Sequence, residues 1–386
     1  MTRVEMVVPS LPTAGMEVMV AGLARDLAQA GYDVGVTCTD EPGGLAAGLA
    51  ADGIPVAVVP APGVLPNVQP GRALTAHFQR RAPDVVHVHS GVWAKAAVAA
   101  RRAGVPYVVH TAHGKLEPEP RSARLFMRWA ARFTDAVVAV SAPLAEHLVA
   151  ACGVPSRKVE VIVNGIDMTR FAPGPRTAGL RAAFGLGEDA VVAGCVARFQ
   201  PVKHHAFLLD AFAVAAARVP ALHLLLVGDG PLRSALEAQA AALGITERVH
   251  FAGLRADAAA VYREFDLFCL SSRSEGTSMS VLEAMASGLP VVATAVGGTP
   301  FLLDPDGGPA PGPRATGHLV ASGDVPALAD ALAELASAPA ARAGAGAAAR
   351  ARVLAGFDAA AMRAHYEAVY QRAPARRRAV PALHAR

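Results

Sequence analysis

The sequence predicts an α/β protein built from two doubly wound domains in tandem. Three observations carry this. The chain is 386 residues long, a length that suits two domains. Short apolar, β-branched runs alternate with Ala-rich helical stretches, the pattern of a parallel sheet covered on both faces. The alternation pauses once, at a turn-rich segment, and then resumes.

In the first half, strands are expected at Val4–Val8, Asp33–Thr39, Val56–Val59, Val85–His89, Tyr107–His110, Ala136–Val140 and Val159–Ile162. Helices are expected at Met16–Ala30, Leu74–Arg81, Val92–Ala103, Ala123–Phe133 and Leu144–Ala151. The pause is Asn164–Pro175 (NGIDMTRFAPGP), a linker by its turn residues. The second series has strands near Val191–Cys195, His223–Val227, Val249–Phe251, Leu267–Leu270 and Val291–Ala293. Residues 1–165 and 176–357 are thus read as two Rossmann-like domains with a cleft between them. Ligands of such sheets bind at the carboxyl ends of the strands. Asp304–Arg314 (DPDGGPAPGPR) reads as a surface loop, and its Asp304-Pro305-Asp306 as a turn rather than a metal-binding pair. Residues 373–386 form a basic tail expected to fray.

Composition excludes several classes. Hydrophobic residues make up 53% and charged residues 18%, enough apolar surface for two cores. A net charge of +4 does not call for a nucleic-acid partner. The four cysteines (Cys38, Cys152, Cys195, Cys269) lie far apart in apolar runs, as buried thiols do. The apolar stretch from Ala206 to Val227 holds Asp210, Arg218, Pro220 and His223, which excludes a bilayer helix. The first strand is interrupted by Glu5 and Pro9 and lacks the form of an export signal, so the cytoplasm is the expected location.

Several stretches carry candidate chemistry. Ser271–Gly298 (SSRSEGTSMSVLEAMASGLPVVATAVGG) reads as strand end, small-residue loop, helix and buried strand. A helix start there offers free N–H groups for phosphate. Glu275 and Glu283 lie eight residues apart, so two carboxylates can face one pocket at different depths and accept from paired sugar hydroxyls. The plain alternative is a dipole-complementing Glu275 and a solvated Glu283. Arg198 and Lys203 follow the strand Val191–Cys195 and can flank a diphosphate, against a reading as surface charge. Gly228-Asp229-Gly230 makes a strand-to-helix turn near the nucleotide. Arg233 occupies the third glycine position of a dinucleotide fingerprint, so no nicotinamide cofactor is inferred. In the first half, Gly15 opens a helix where backbone approaches phosphate. His87 and His89 share one strand face, and His110 and His113 end the next strand. No carboxylate stands at ligand spacing, so these histidines are read as hydrogen-bonding groups and no metal or cofactor is expected.

Together, SEGTSMSVLEAMASGLPVVATAVGG, VNGID, ARFQPVKH and LLLVGDGP, in the positions they hold, resemble the family-four retaining glycosyltransferases (glycosyltransferase group 1) of GT-B fold, over nearly the whole chain. The first of these resembles the family's E-x7-E signature. The resemblance implies transfer of a sugar from a nucleotide-diphosphate donor, UDP- or GDP-linked, to a glycan, lipid-linked or small-molecule acceptor. Retention of configuration and independence of metal are implied with it. It implies that Glu283 binds ribose, that Glu275 and the N–H groups near Gly276, Thr277, Ser278 and Met279 meet the donor sugar, and that Arg198 and Lys203 hold the diphosphate. His113 would lie beside the transferring sugar and Gly15 near the phosphates. Gly228, Val249 and Leu282 complete the expected donor side, with Arg248–Phe251 flanking the base. The helix near 358–372 resembles the family's crossover helix, which returns to the first domain. Two departures stand out: the first turn reads Ala14-Gly15 where two glycines are usual, and Thr299-Pro300-Phe301 lacks an acidic residue. A sugar-nucleotide epimerase of the same fold and a non-catalytic two-lobed binding protein are the alternatives.

One feature bears on the acceptor. Arg121, Arg124, Arg128 and Arg132 recur at helical spacing beside Leu125, Phe126, Trp129 and Phe133. This is either a basic amphipathic helix that docks on anionic lipid at the inner membrane face, or a helix with its apolar side in the core and solvated arginines.

Overall fold

The computed structural model describes residues 1–61, 70–114, 119–177, 179–304 and 308–374. The tail 375–386 and Asp306 of the acidic pair lie outside them. Fourteen strands among the described residues make two sheets of seven. The first holds β1 (Arg3–Val8), β2 (Asp33–Cys38), β3 (Val56–Val58), β4 (Val85–His89), β5 (Tyr107–Ala112), β6 (Ala136–Ala139) and β7 (Val159–Val161). Its order is β3-β2-β1-β4-β5-β6-β7, all parallel. The second holds β8 (Val191–Val196), β9 (Leu222–Val227), β10 (Val249–Gly253), β11 (Leu267–Leu270), β12 (Val291–Thr294), β13 (Gly312–Arg314) and β14 (Gly317–Val320). Its order is β10-β9-β8-β11-β12-β14-β13.

The central strands are buried on both faces because helices cover both. Val85, Val86 and Val88 of β4 and Leu224, Leu225 and Leu226 of β9 are fully buried. Helix starts follow the local chemistry. Ser278, Asp257, Asp324 and Asp358 each accept from a backbone N–H of the first turn, satisfying a donor that has no intrahelical partner.

The structure departs from the sequence reading at 304–314. Gly312–Arg314 is an edge strand antiparallel to Gly317–Val320, and neither strand was expected. A Pro/Gly-rich run hides strand character, and an edge position tolerates proline. The helix Ala46–Ala51 was also missed, being too short and Ala-rich to show a period.

The chain crosses between domains twice, side by side. Ile166 N–H donates to Phe357 O at 2.8 Å, and Ala359 N–H donates to Ile166 O at 3.1 Å. Beyond this crossing the helix Ala359–Tyr370 buries Met362, Tyr366, Val369 and Tyr370 in the core of the first sheet, with Val4, Met6, Leu23 and Val109.

Candidate active site

In each sheet the strand order reverses beside the first strand, between β1 and β4 and between β8 and β11. Loops at the carboxyl ends of these strands splay apart there and leave a crevice. The two crevices face each other across one cavity of about 580 Å³, a size that suits a small-molecule ligand. Its walls are strand ends: Pro9 after β1, Ser90 after β4, His113 after β5, Val196 and Ala197 at β8, and Val227 and Gly228 at β9.

Of the residues singled out in the sequence, the cavity brings together Gly15, His113, Arg198, Lys203, Gly228, Glu275, Gly276, Thr277, Ser278, Met279 and Glu283. Val249 and Leu282 do not reach it. Val249 opens β10, at the end of the strand away from the cleft, and is buried. The cavity is reached instead by Leu254, Arg255 and Ala258, which follow that strand's carboxyl end. Leu282 is fully buried in the second core, because it occupies the sheet-facing side of the helix Met279–Ala286. Glu17, Thr13, Ser90 and Asn164 also line the cavity. Ser90 and Asn164 stand just past a strand end, and Thr13 and Glu17 lie in the turn and first helical residues that follow β1.

The carboxylates sit in different settings. Glu275 lies in the loop before the helix, and its Oε1 accepts from Lys203 Nζ and from Ser272 Oγ, both at 2.6 Å. Glu283, one turn into the helix, is buried. Its Oε2 accepts from Tyr262 OH at 2.6 Å. Burial raises its pKa to about 7, against lowering by that hydrogen bond and by Arg170. Arg198 is exposed on the cavity wall. Across from it, Glu17 is half-buried. Burial raises its carboxyl, while its own backbone N–H and the Arg198 charge lower it.

Close backbone contacts hold the walls. A Cβ on Gly276 would stand 2.0 Å from His113 O, and one on Gly228 would stand 2.0 Å from Ala197 O. Only glycine fits at either place. The domains also touch directly: Thr277 Oγ1 donates to Val140 O, and Asn164 Nδ2 donates to Thr277 O at 3.2 Å.

The histidines divide by strand face. His113 Nε2 and His89 Nδ1 are 3.0 Å apart, and the His89 ring lies tilted against His87 with centroids 4.0 Å apart. His110 faces the other way, stacked on Trp93 at 3.9 Å. In the arginine helix, Arg121–Ala130, Arg124 pairs with Glu119 at 2.7 Å. Arg121, Arg128 and Arg132 are exposed, as is Leu125, while Phe126, Trp129 and Phe133 pack on the core. No described helix is long and apolar enough to cross a membrane.

Two doubly wound domains enclosing a cleft with paired cations and paired carboxylates define an enzyme of the GT-B class that grips a nucleotide sugar. Comparison with known proteins agrees. Residues 190–338 match the family described as Glycosyl transferases group 1, and residues 13–170 match Glycosyltransferase Family 4. A D-inositol 3-phosphate glycosyltransferase of Saccharomonospora viridis is 33% identical over 368 residues, 85% of this chain and 82% of that protein. A UDP-Gal:alpha-D-GlcNAc-diphosphoundecaprenol alpha-1,3-galactosyltransferase of Escherichia coli is 30% identical over 57% of this chain and 60% of its own length. The crystal structure of Anabaena HepE in complex with UDP and glucose superposes with a TM-score of 0.83 at 22% identity, covering 96% of this chain and all of that one. The chain belongs to glycosyltransferase family four, group 1, and it is a nucleotide-sugar-dependent glycosyltransferase. The epimerase and binding-protein alternatives are not favoured.

Proposed function

We propose that this enzyme transfers a hexose from a UDP-sugar, with retention of configuration, to a hydroxyl of a glycan or lipid-linked acceptor. The observation that carries the reading is the meeting of Arg198, Lys203, Glu275 and Glu283 in one cleft between the domains. UDP is preferred over GDP because the E. coli relative is named for UDP-galactose and HepE was crystallised with UDP.

In this reading Glu283, as carboxylate, accepts from the two ribose hydroxyls. Leu254 and Arg255 flank the base. Arg198 and Lys203 take the diphosphate, whose charge grows as the glycosidic bond breaks. Lys203 is tied to Glu275 in the structure; bound diphosphate would compete for it and release Glu275 toward the sugar hydroxyls. N–H groups at Gly276–Met279 and at Gly15 add neutral donors. The acceptor oxygen attacks from the leaving-group face, and the departing phosphate takes its proton, so neither glutamate needs to be a nucleophile. The chain supplies cations in the place a metal would fill. The functional units are 1–165 with the returning helix near 358–372, and 176–357.

A thermal-shift screen with UDP, GDP, ADP and their common sugar conjugates tests the donor. A ligand at about a hundred times its dissociation constant stabilises by roughly 2.7 kcal/mol. We expect UDP to shift the wild type and to lose its effect in Glu283→Ala. A shift with GDP alone reverses the base assignment, and no shift with any nucleotide overturns the reading.

The second part concerns the membrane. Exposed Arg121, Arg128 and Arg132 with exposed Leu125 support docking on anionic lipid at the cytoplasmic face, which would bring the cleft to a lipid-linked acceptor. The protein should sediment with vesicles containing phosphatidylglycerol at low salt and release as salt rises. An Arg121→Ser/Arg128→Ser/Arg132→Ser variant should stay in solution. Equal sedimentation of both, or of neither, overturns it.

A further inference from the structure

A column of buried polar rings runs from the terminal helix to the cleft. Tyr370 OH and His87 Nδ1 are 2.6 Å apart, and His87 Nε2 and Thr111 Oγ1 are 2.7 Å apart. Thr111 Oγ1 meets Tyr366 OH at 3.2 Å. Both ring nitrogens of His87 are therefore occupied and its ring is fixed. His89 lies against that ring and is itself fully buried. Its Nδ1 faces His113 Nε2 at 3.0 Å, and its Nε2 is buried with no hydrogen-bond partner among the described residues.

The unpartnered nitrogen decides the direction of the His89–His113 bond. Burial pushes His87 and His89 far down from the ordinary histidine range and His113 down to about 3, so each ring is neutral and carries one hydrogen. If His113 Nε2 carried the shared hydrogen, His89 would keep its own on Nε2, a buried N–H with no acceptor. If His89 Nδ1 carries it, Nε2 is left as a bare lone pair. On the backbone, orphaned buried N–H groups are rarer than under-satisfied carbonyl acceptors, and the same ordering favours the bare ring lone pair here. The shared hydrogen therefore belongs to His89 Nδ1. His113 accepts it at Nε2 and carries its own hydrogen on Nδ1.

We propose that His89 is a positioning residue, donating from Nδ1 to His113 Nε2 and presenting His113 to the cleft as a neutral Nδ1–H donor rather than as a base. His87, clamped by Tyr370 of the terminal helix, holds His89 in place. An N–H donor suits a hydroxyl oxygen of the bound sugar and leaves the acceptor proton to the departing phosphate. The inference rests on the reading of His113 as a neighbour of the transferring sugar.

The first test needs no variant. In the full chain labelled with ¹⁵N-histidine at pH 7, His113 should show the Nδ1–H tautomer, with an unprotonated Nε2 coupled to a donor. An Nε2–H signature for His113 overturns the proposal. The second test follows nucleotide release from the sugar conjugate that gives the largest thermal shift in the screen above. His89→Leu should lower kcat by roughly tenfold or more, leave the dissociation constant of the nucleotide unchanged and mix the His113 tautomers. His89→Asn, whose amide nitrogen replaces the Nδ1 donor, should restore most of kcat and the single tautomer. Equal activity of His89→Leu and wild type overturns the proposal, as does an Asn variant no better than Leu. If His113→Ala alone leaves kcat unchanged, the reading of His113 fails while the tautomer spectrum still judges the His89 bond.

Discussion

Glu283 shows how one residue links burial to function. It is enclosed by the second core and holds its proton up to about pH 7. Ribose hydroxyls are donors and bind the carboxylate better than the acid. Nucleotide affinity should therefore fall as pH drops from 8 through 7 to 6, by at most about tenfold per unit below 7. Titration calorimetry in two buffers of different ionisation heat should register proton release on binding at pH 6 and little at pH 8. Glu283→Gln should bind weakly at every pH. The same shift runs the other way in stability. The folded state holds this proton more tightly than the unfolded chain, so the contribution favours folding at low pH and is lost as pH rises through about 7. Lys203 gives a second residue-level outcome. Lys203→Ala should lower kcat about a hundredfold through lost charge at the leaving group. Because Glu275 then keeps only Ser272 among the described residues, that variant should lose more than Lys203→Arg, measured as initial rates.

At the scale of elements, the strand-end turns set the cavity. Gly228 and Gly276 stand where a neighbouring carbonyl leaves no room for Cβ. Gly276→Ala should force apart His113 and the Glu275 loop, costing about 1–3 kcal/mol by denaturant unfolding and more than tenfold in nucleotide affinity. Gly15→Ala is the control: its Cβ would meet only Met279 at an ordinary 3.7 Å, so its stability should change by under about 1 kcal/mol. The spacing of glycines was legible in the sequence, but which glycine is indispensable was not, because the obstructing atoms come from another strand or the other domain. The arginine helix is similar. Its basic stripe was readable, whereas the pairing of Arg124 with Glu119 and the packing of Phe126 and Trp129 on the core depend on neighbours.

In the whole molecule, the two domains share one point of exchange. Gly165 lies where the outgoing chain passes the returning one, and a Cβ there would stand 2.6 Å from Asp358 O. Gly165→Val should disturb this crossing and lower the melting temperature. The terminal helix belongs energetically to the first core. Tyr366 is fully buried in it, so Tyr366→Ala should cost about 3–5 kcal/mol. The same loss should unseat His87 and His89 through Thr111, visible as earlier hydrogen exchange in Tyr107–Ala112 than in β8 or β9.

The amino-acid sequence by itself determined the alternation of buried strands and helices, the two-domain division and the family, because these rest on local apolar period, turn residues and contiguous motifs. It also supplied the residue types of the cleft, since strand-end loops carry them in short runs. The tertiary structure alone decided which residues meet. Val249 and Leu282 sit in the right segments, yet one is at the wrong end of its strand and the other on the wrong side of its helix. Leu254, Arg255, Glu17 and, at the end of the His87–His89 column, His113 reach the cleft through strand order and register, which join segments far apart in the chain. A period fixes the face a side chain occupies; only packing against distant strands fixes what that face encounters.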